Sequence, residues 1–299
     1  MPISSYRFID PLTLAAISNL ELLAKTVVDG FMIGAHQSPV PGAGLEFNQF
    51  RSYQPGDDVR RVDWKLFARS DRYYVRESEV ETSITVRFIL DASASMLHEE
   101  SKISKFNYAR FLIASLGYLA HLQGDAIGIY AINDKEISLL SPKGDHQHLH
   151  RFIHELEKIK AVGIWPNWDE LENIFLSGQK RELVIFVSDM YENNEEIREV
   201  LRKLHALKNE IILFQLIGRK ELDFTYEGAL TFEDLETGKK IQANSDQVRK
   251  AYLEKFESAQ YELRQTLHDN QIEYQQLILD QPLDFALRSY LSQRAKLSI

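Results

Sequence analysis

At residues 83–95 the chain reads SITVRFILDASAS, an apolar run rich in β-branched residues that ends in the pattern Asp-x-Ser-x-Ser. Such a run predicts a buried strand. The side chains of Asp91, Ser93 and Ser95 are short, so their oxygens stay close to the backbone at the carboxyl end of the strand. Oxygen ligands of this kind suit a hard cation, and open α/β sheets bind ligands at that end of their strands. The pattern therefore predicts a cation-binding loop.

Downstream of residue 83, strand-like and helix-like segments alternate. Continuous apolar strands that alternate with amphipathic helices predict a mostly parallel sheet with helices on both faces. We expect a doubly wound α/β domain over residues 83–299, with a small β-hairpin insertion around Glu236-Thr237-Gly238. The predicted strands are 83–91, 125–132, 182–188, 210–217 and 272–279, and the predicted helices are 104–122, 145–160, 169–177, 194–206, 246–268 and 283–296.

Residues 1–82 do not follow this alternation. A helical pattern runs from residue 11 to Gly30, where glycine is expected to end the helix. A turn-rich stretch at 38–44 and a charged, aromatic segment at 51–79 follow. The basic and acidic residues of that segment nearly balance, so it is not a phosphate-binding track. We expect this region to pack on the α/β core.

The composition and charge of the chain argue against several classes of protein. The chain has 299 residues, 44% of them hydrophobic and 26% charged, as in ordinary soluble domains. Its formal net charge of −9 argues against a nucleic-acid partner. It contains no cysteine, which excludes disulfides and thiolate zinc sites. No apolar run approaches the roughly 18 residues of a transmembrane helix, and no secretory leader is evident. We expect a cytoplasmic protein.

A second predicted strand is also followed by side chains with hydroxyl and carboxylate oxygens. Ser188 and Asp189 follow the apolar run 183–187. Because parallel strands end at the same edge of a sheet, we expect Asp189 to lie near Asp91. Two interpretations fit these residues: a metal site, or strand-end turns whose Ser and Asp side chains cap the next helix.

The two loops together resemble the metal-ion-dependent adhesion site of von Willebrand factor type A domains. That resemblance implies that Ser93 and Ser95 bind Mg²⁺ or Mn²⁺ directly, and that Asp91 and Asp189 act through water. The family's middle-loop threonine is missing. The matching segment, residues 163–171, offers Asn167 or Asp169 as a replacement oxygen.

A more extensive resemblance is to bacterial domain-of-unknown-function family 58, which has a von Willebrand A-like domain. It is carried by GLEF at 44–47, RSYQPGDDVRRVDWK at 51–65, AR at 68–69, YVRE at 74–77 and DLETG at 234–238. Members of that family typically accompany a MoxR-type AAA+ ATPase. The resemblance implies an adaptor or co-chaperone that links the ATPase to a protein client during maturation or assembly.

The motifs favour binding over catalysis. The chain has no Gly-x-Ser-x-Gly elbow, phosphate-binding Gly-rich loop or His-Glu-x-x-His pattern. If Asp91 were a phosphoryl acceptor, an aspartate would be expected two residues on, where Ser93 stands. We therefore expect a non-enzymatic, metal-dependent adaptor. The alternative is a metal-dependent hydrolase that acts on phosphate esters.

Three further groups of residues have two interpretations each. Arg60, Arg61 and Trp64 form either a docking surface or an ion-pair network that holds the N-terminal region to the core, with Trp64 buried. Trp165 and Trp168 are either core residues or exposed partner contacts. The histidines between residues 146 and 154 are better explained by a solvated helix face than by zinc.

Overall fold

A computed structural model describes residues 11–17, 19–36, 49–53, 62, 64–70, 72–77, 83–176, 181–191 and 195–297. The strands are β1 (Gln49–Ser52), β2 (Tyr74–Glu77), β3 (Thr85–Asp91), β4 (Glu99–Glu100), β5 (Ile103–Ser104), β6 (Ala126–Ile132), β7 (Ile137–Lys143), β8 (Leu183–Ser188), β9 (Glu210–Ile217), β10 (Ala229–Glu233), β11 (Lys240–Asn244) and β12 (Glu273–Ile278). The helices are α1 (Pro11–Leu14), α2 (Leu20–His36), α3 (Trp64–Ser70), α4 (Lys105–Leu122), α5 (His146–Lys158), α6 (Trp168–Leu176), α7 (Glu196–Ala206), α8 (Arg219–Asp223), α9 (Ser245–Asp269) and α10 (Asp284–Leu297).

A six-stranded sheet in the order β12-β9-β8-β3-β6-β7 forms the centre of the fold. The pairs from β12 to β6 are parallel, and β7 joins β6 antiparallel. β3 lies between β6 and β8, so the loop after it opens at the middle of the carboxyl edge. The predicted mixed α/β fold with a mostly parallel sheet is confirmed, and so are the predicted strands and the hairpin.

Alternate residues of β3 enter two different cores. Phe88 and Leu90 join the core beneath α2, α4, α5 and α10, whereas Ile89 joins the core beneath α6, α7 and α9. Since both faces of the strand are covered, apolar residues stand at successive positions from Phe88 to Leu90. The continuous hydrophobic run in the sequence is therefore the direct result of burial on two sides.

The prediction that the N-terminal helix ends at Gly30 is wrong. The helical region is divided into α1 and α2, and α2 continues to His36. Phe31, just after Gly30, is 4% exposed and packs in the first core. A glycine inside a helix costs about 1 kcal/mol, which such packing readily offsets.

The edge strand β7 was not predicted. Its residues are alternately exposed and partly buried, as expected at a sheet edge, and it contains Pro142. Its partner strand carries Gly128, where a Cβ atom would lie 2.6 Å from the Pro142 backbone nitrogen. The glycine thus allows β7 to approach β6 closely.

The C-terminal helix α10 is attached to the sheet by a buried ion pair. Arg294 donates from Nε to Asp125 Oδ2 at 2.7 Å and from Nη2 to Oδ1 at 3.0 Å. Asp125 is fully buried and also accepts from the Tyr290 hydroxyl and from the backbone N–H of Ile84. The ion pair connects α10 to the start of β6, and the Ile84 N–H links the same carboxylate to the start of β3.

Candidate functional site

Asp91 organises the loop after β3 from a fully buried position. Its Oδ1 accepts the Ser93 backbone N–H at 3.0 Å, and its Oδ2 accepts the Ser188 hydroxyl at 2.6 Å. Burial, and then repulsion from Asp189, raise the pKa of Asp91 to about 7, although the hydrogen bonds from Ser188 and Ser93 oppose this. The carboxyl group therefore connects the ends of β3 and β8.

The two serine hydroxyls meet beside Asp189, as the sequence predicted. Ser93 Oγ and Ser95 Oγ lie 2.9 Å apart, and Ser95 donates to Asp189 Oδ1 at 3.2 Å. Ser93 is fully buried, and Ser95 and Asp189 are 8% and 9% exposed. The carboxyl edge thus brings together four of the predicted site residues.

Lys105 is a member of this cluster that was not anticipated. Its Nζ donates to Asp189 Oδ2 at 3.0 Å and to Glu221 Oε1 at 2.9 Å. Burial alone would lower the pKa of Lys105, but attraction to Asp189 and Glu221 outweighs it and raises the pKa. A buried lysine in the first turn of a helix opposes the helix dipole, and this was the available sign of a nearby acidic partner.

Glu236 reaches the same cluster from the turn between β10 and β11. Asp234 Oδ1 accepts the backbone N–H of Glu236 at 2.9 Å, which shapes the turn. The Ser95 hydroxyl is close enough to the Glu236 carboxylate to lower its pKa, but Oε1 of that carboxylate is buried without a hydrogen-bond partner among the described residues. Burial, and then repulsion from Asp91, raise the pKa of Glu236 to about 7. The family resemblance had identified this turn by its DLETG motif, but the motif did not indicate that the turn lies near the loop after β3.

The backbone of the middle loop forms hydrogen bonds with the backbone of the loop after β3. The Val162 N–H donates to Ala92 O at 2.8 Å, and the Ala94 N–H donates to Gly163 O at 2.9 Å. Asn167 and Asp169 have exposed side chains at the start of α6. Among the described residues, no hydrogen bond joins either side chain to the loop after β3.

The described members of the predicted partner-binding set differ in exposure. Trp165 and Trp168 are 5% and 7% exposed and pack on Phe186 and Phe175. Burial therefore places both in the core, and neither side chain is available for contact with a partner. Trp64 is 55% exposed, which contradicts the interpretation that buries it beside an ion-pair network, and the docking-surface interpretation stays a prediction. Arg60 and Arg61 lie outside the described residues.

The predicted solvated histidine face is only partly correct. His146, His150 and His154 are exposed. His148 is buried, and its Nε2 lies 2.8 Å from the carbonyl oxygen of Ile127. That contact attaches α5 to β6, so His148 has a structural role.

The chemistry of the cluster fits a divalent cation. Oxygens bound to Mg²⁺ at about 2.1 Å at right angles lie about 3.0 Å apart, close to the separation of the two serine hydroxyls. Lys105 pairs with Asp189 and Glu221, whereas neighbouring carboxylates help to raise the pKa values of Asp91 and Glu236. Across the described residues, no three His, Cys, Asp or Glu side chains are grouped to hold a metal. Direct coordination would therefore use the hydroxyls and no more than two carboxylates.

Comparison with known proteins places the chain among uncharacterised relatives. A family model described as protein of unknown function DUF58 matches residues 49–262. The uncharacterized protein Rv1480 of Mycobacterium tuberculosis is 25% identical over 232 residues, 77% of this chain and 73% of that protein. The uncharacterized protein Mb1516 of Mycobacterium bovis matches to the same extent.

Solved structures with a similar fold include two proteins from Bacteroides. BatB from Bacteroides thetaiotaomicron has a TM-score of 0.46 and 14% identity, and the match covers 72% of this chain and 100% of that one. An aerotolerance-related membrane protein from Bacteroides fragilis has a TM-score of 0.49 with the same identity and coverage. The SpRpn10 VWA domain has a TM-score of 0.41 and 10% identity, covering 69% and 94% of the two chains. Among the helices described here, none is long and apolar enough to cross a bilayer.

Proposed function

This chain belongs to the DUF58 family of proteins of unknown function, and on that premise we propose that it is a cytoplasmic, non-enzymatic adaptor whose binding depends on a divalent cation. The observation that supports this most is the pair of serine hydroxyls, Ser93 and Ser95, held 2.9 Å apart beside Asp189 at the carboxyl edge of the sheet. Mg²⁺ or Mn²⁺ bound there would present an open coordination position to an acidic side chain of a partner.

The burial of Asp91 supports binding over hydrolysis. Both of its oxygens are engaged, by the Ser93 N–H and the Ser188 hydroxyl, and the side chain has no exposed surface. A nucleophile or general base must reach the substrate. Asp91 instead holds the loop in position, and the two serines and Asp189 would hold the cation.

The alternative, a metal-dependent phosphate-ester hydrolase, is favoured by one observation. The pKa of Asp91 is raised to about 7, and groups poised near neutrality are frequent in catalytic sites. Turnover of a phosphatase substrate panel that is lost in the Asp189→Ala variant would support the hydrolase. An inactive wild-type protein would support the adaptor.

The partner that we propose is a MoxR-type AAA+ ATPase, which this chain would connect to a protein client. The family resemblance supports this partner. The acidic net charge of −9 supports a cation-mediated contact, because a divalent ion offsets repulsion between acidic surfaces.

The test is the double variant Ser93→Ala with Ser95→Ala. We expect its affinity for the MoxR-type ATPase of the same organism to fall at least about tenfold in Mg²⁺, because both hydroxyl ligands are lost. Isothermal titration calorimetry measures this, with circular dichroism to check folding. The matched control replaces Ser141 and Ser258, which are exposed on β7 and α9, and should bind normally. Equal affinity of the wild type with Mg²⁺ and with a chelator would contradict the metal dependence.

A further inference from the structure

The proposed binding edge is covered by the protein itself. A contact site for a partner should be accessible, yet Ser93 has no exposed surface and Ser95 is 8% exposed. Glu236 lies near enough for Ser95 to lower its pKa, its Oε1 is buried, and it is a carboxylate of the same chemical class as the partner group expected there. The occupant of the edge is therefore an acidic side chain from this chain's own hairpin.

Hydrogen bonds within the hairpin turn hold the backbone at Glu236 in a defined conformation. Asp234 accepts the backbone N–H groups of Glu236 and Thr237 and the Thr237 hydroxyl, so the turn has a defined shape. Tyr191, which follows β8, lies near Asp234 and helps to lower the pKa of that carboxyl group. Two side chains of the turn thus reach the main domain, and both arrive next to the ends of β3 and β8.

The two ends of the hairpin lie together at its base. The Ser245 N–H donates to Gly228 O at 2.9 Å, which ties the two ends of the hairpin together. Gly228 has a φ of +77°, and a Cβ placed there would meet nothing within 4 Å. Side chains on β10 and β11 are largely exposed, and Phe232 packs against Phe224 and Tyr226.

One oxygen of Glu236 is left without a partner. Oε1 is buried and accepts no hydrogen bond from the described residues, and leaving such an atom unsatisfied is costly. A cation at the serine hydroxyls would provide that partner.

We propose that Glu236 is an internal ligand of the cation site, which occupies the position that a partner's acidic side chain must take and so keeps the site closed until the hairpin is displaced. This inference rests on the proposed function and concerns how a partner's access to the cation site is regulated. It predicts that a partner gains access only by exchanging its carboxylate for that of Glu236.

The test uses the full chain, Mn²⁺ alone as the probe, and the variants Glu236→Ala and Glu236→Gln. We expect the affinity for Mn²⁺ to fall at least about tenfold in both variants, because a coordinating carboxylate is lost. The water-proton relaxation enhancement per bound Mn²⁺ should rise in Glu236→Ala, because water takes the vacated position. The control, Glu233→Gln, removes one negative charge from the same hairpin and should leave both quantities unchanged. Glu233 pairs with Lys240 at an exposed position.

Hydrogen exchange of residues 229–244 provides a second measurement. We expect Mn²⁺ to slow exchange in the wild type and in Glu233→Gln, but not in Glu236→Ala. If Glu236→Ala binds Mn²⁺ with unchanged affinity and relaxation, the internal ligand is overturned while the metal site proposed above stands. If the wild type binds no Mn²⁺, both proposals are overturned.

Discussion

Replacing Lys105 with methionine should lower the free energy of unfolding by about 3–5 kcal/mol in metal-free buffer. The substitution keeps most of the side-chain volume but removes the ammonium that donates to Asp189 and Glu221. Lys105 is 5% exposed, and Asp189 would remain buried without its counter-charge. Urea denaturation followed by tryptophan fluorescence measures the loss, since Trp165 and Trp168 are buried in the folded protein.

The matched control for this variant is Lys158→Met. Lys158 pairs with Glu155 on the exposed face of α5, and such surface pairs contribute about 1 kcal/mol or less. A loss no larger for Lys105→Met than for Lys158→Met would contradict the role that we give to Lys105. If Mg²⁺ binds at the serine hydroxyls, adding it should recover part of the loss, because the ion would neutralise Asp189.

Replacing Arg294 with methionine should also destabilise the protein by about 3–5 kcal/mol. Asp125 is fully buried, and Arg294 donates to both of its oxygens. Without the guanidinium, the charged carboxylate would keep only the Tyr290 hydroxyl and the Ile84 N–H among the partners described above. Urea denaturation measures this effect, and hydrogen exchange of α10 should show whether the helix separates first.

Two further variants separate charge burial from loss of packing. Arg288→Met on the same helix removes an arginine that is half-exposed, and it should cost about 1 kcal/mol or less. Combining Arg294→Met with Asp125→Asn should cost less than the sum of the two single variants, because no uncompensated charge remains. Strict additivity would show that the ion pair is not the cause.

The sequence predicted the structure best for strands that are buried on both faces, because burial there requires apolar residues. The apolar run of β3 and the hydroxyls that follow it predicted both the strand and the meeting of Ser95 with Asp189, because parallel strands end at a common edge. The edge strand β7 was missed because only one of its faces packs and Pro142 interrupts the pattern. Gly30 was misleading because packing of Phe31 outweighs the local preference of glycine.

The rest of the site depends on contacts between residues far apart in sequence. Lys105 meets Glu221 across 116 positions, and no periodicity could indicate that pair. The turn that carries Glu236 was visible as DLETG, but its position over the end of β3 depends on how the chain leaves β9 and returns as a hairpin. Trp165 and Trp168 could not be assigned to core or surface until their packing on Phe186 and Phe175 was known.

Pro142 has a consequence for how the sheet can associate with other chains. An exposed edge strand normally presents a row of backbone donors and acceptors to which a further strand can add, and this is a common route to aggregation. Proline has no N–H to contribute, and edge strands tolerate it for that reason. Pro142 on β7 and the register shift at Gly128 on β6 are features that disfavour strand addition along this side.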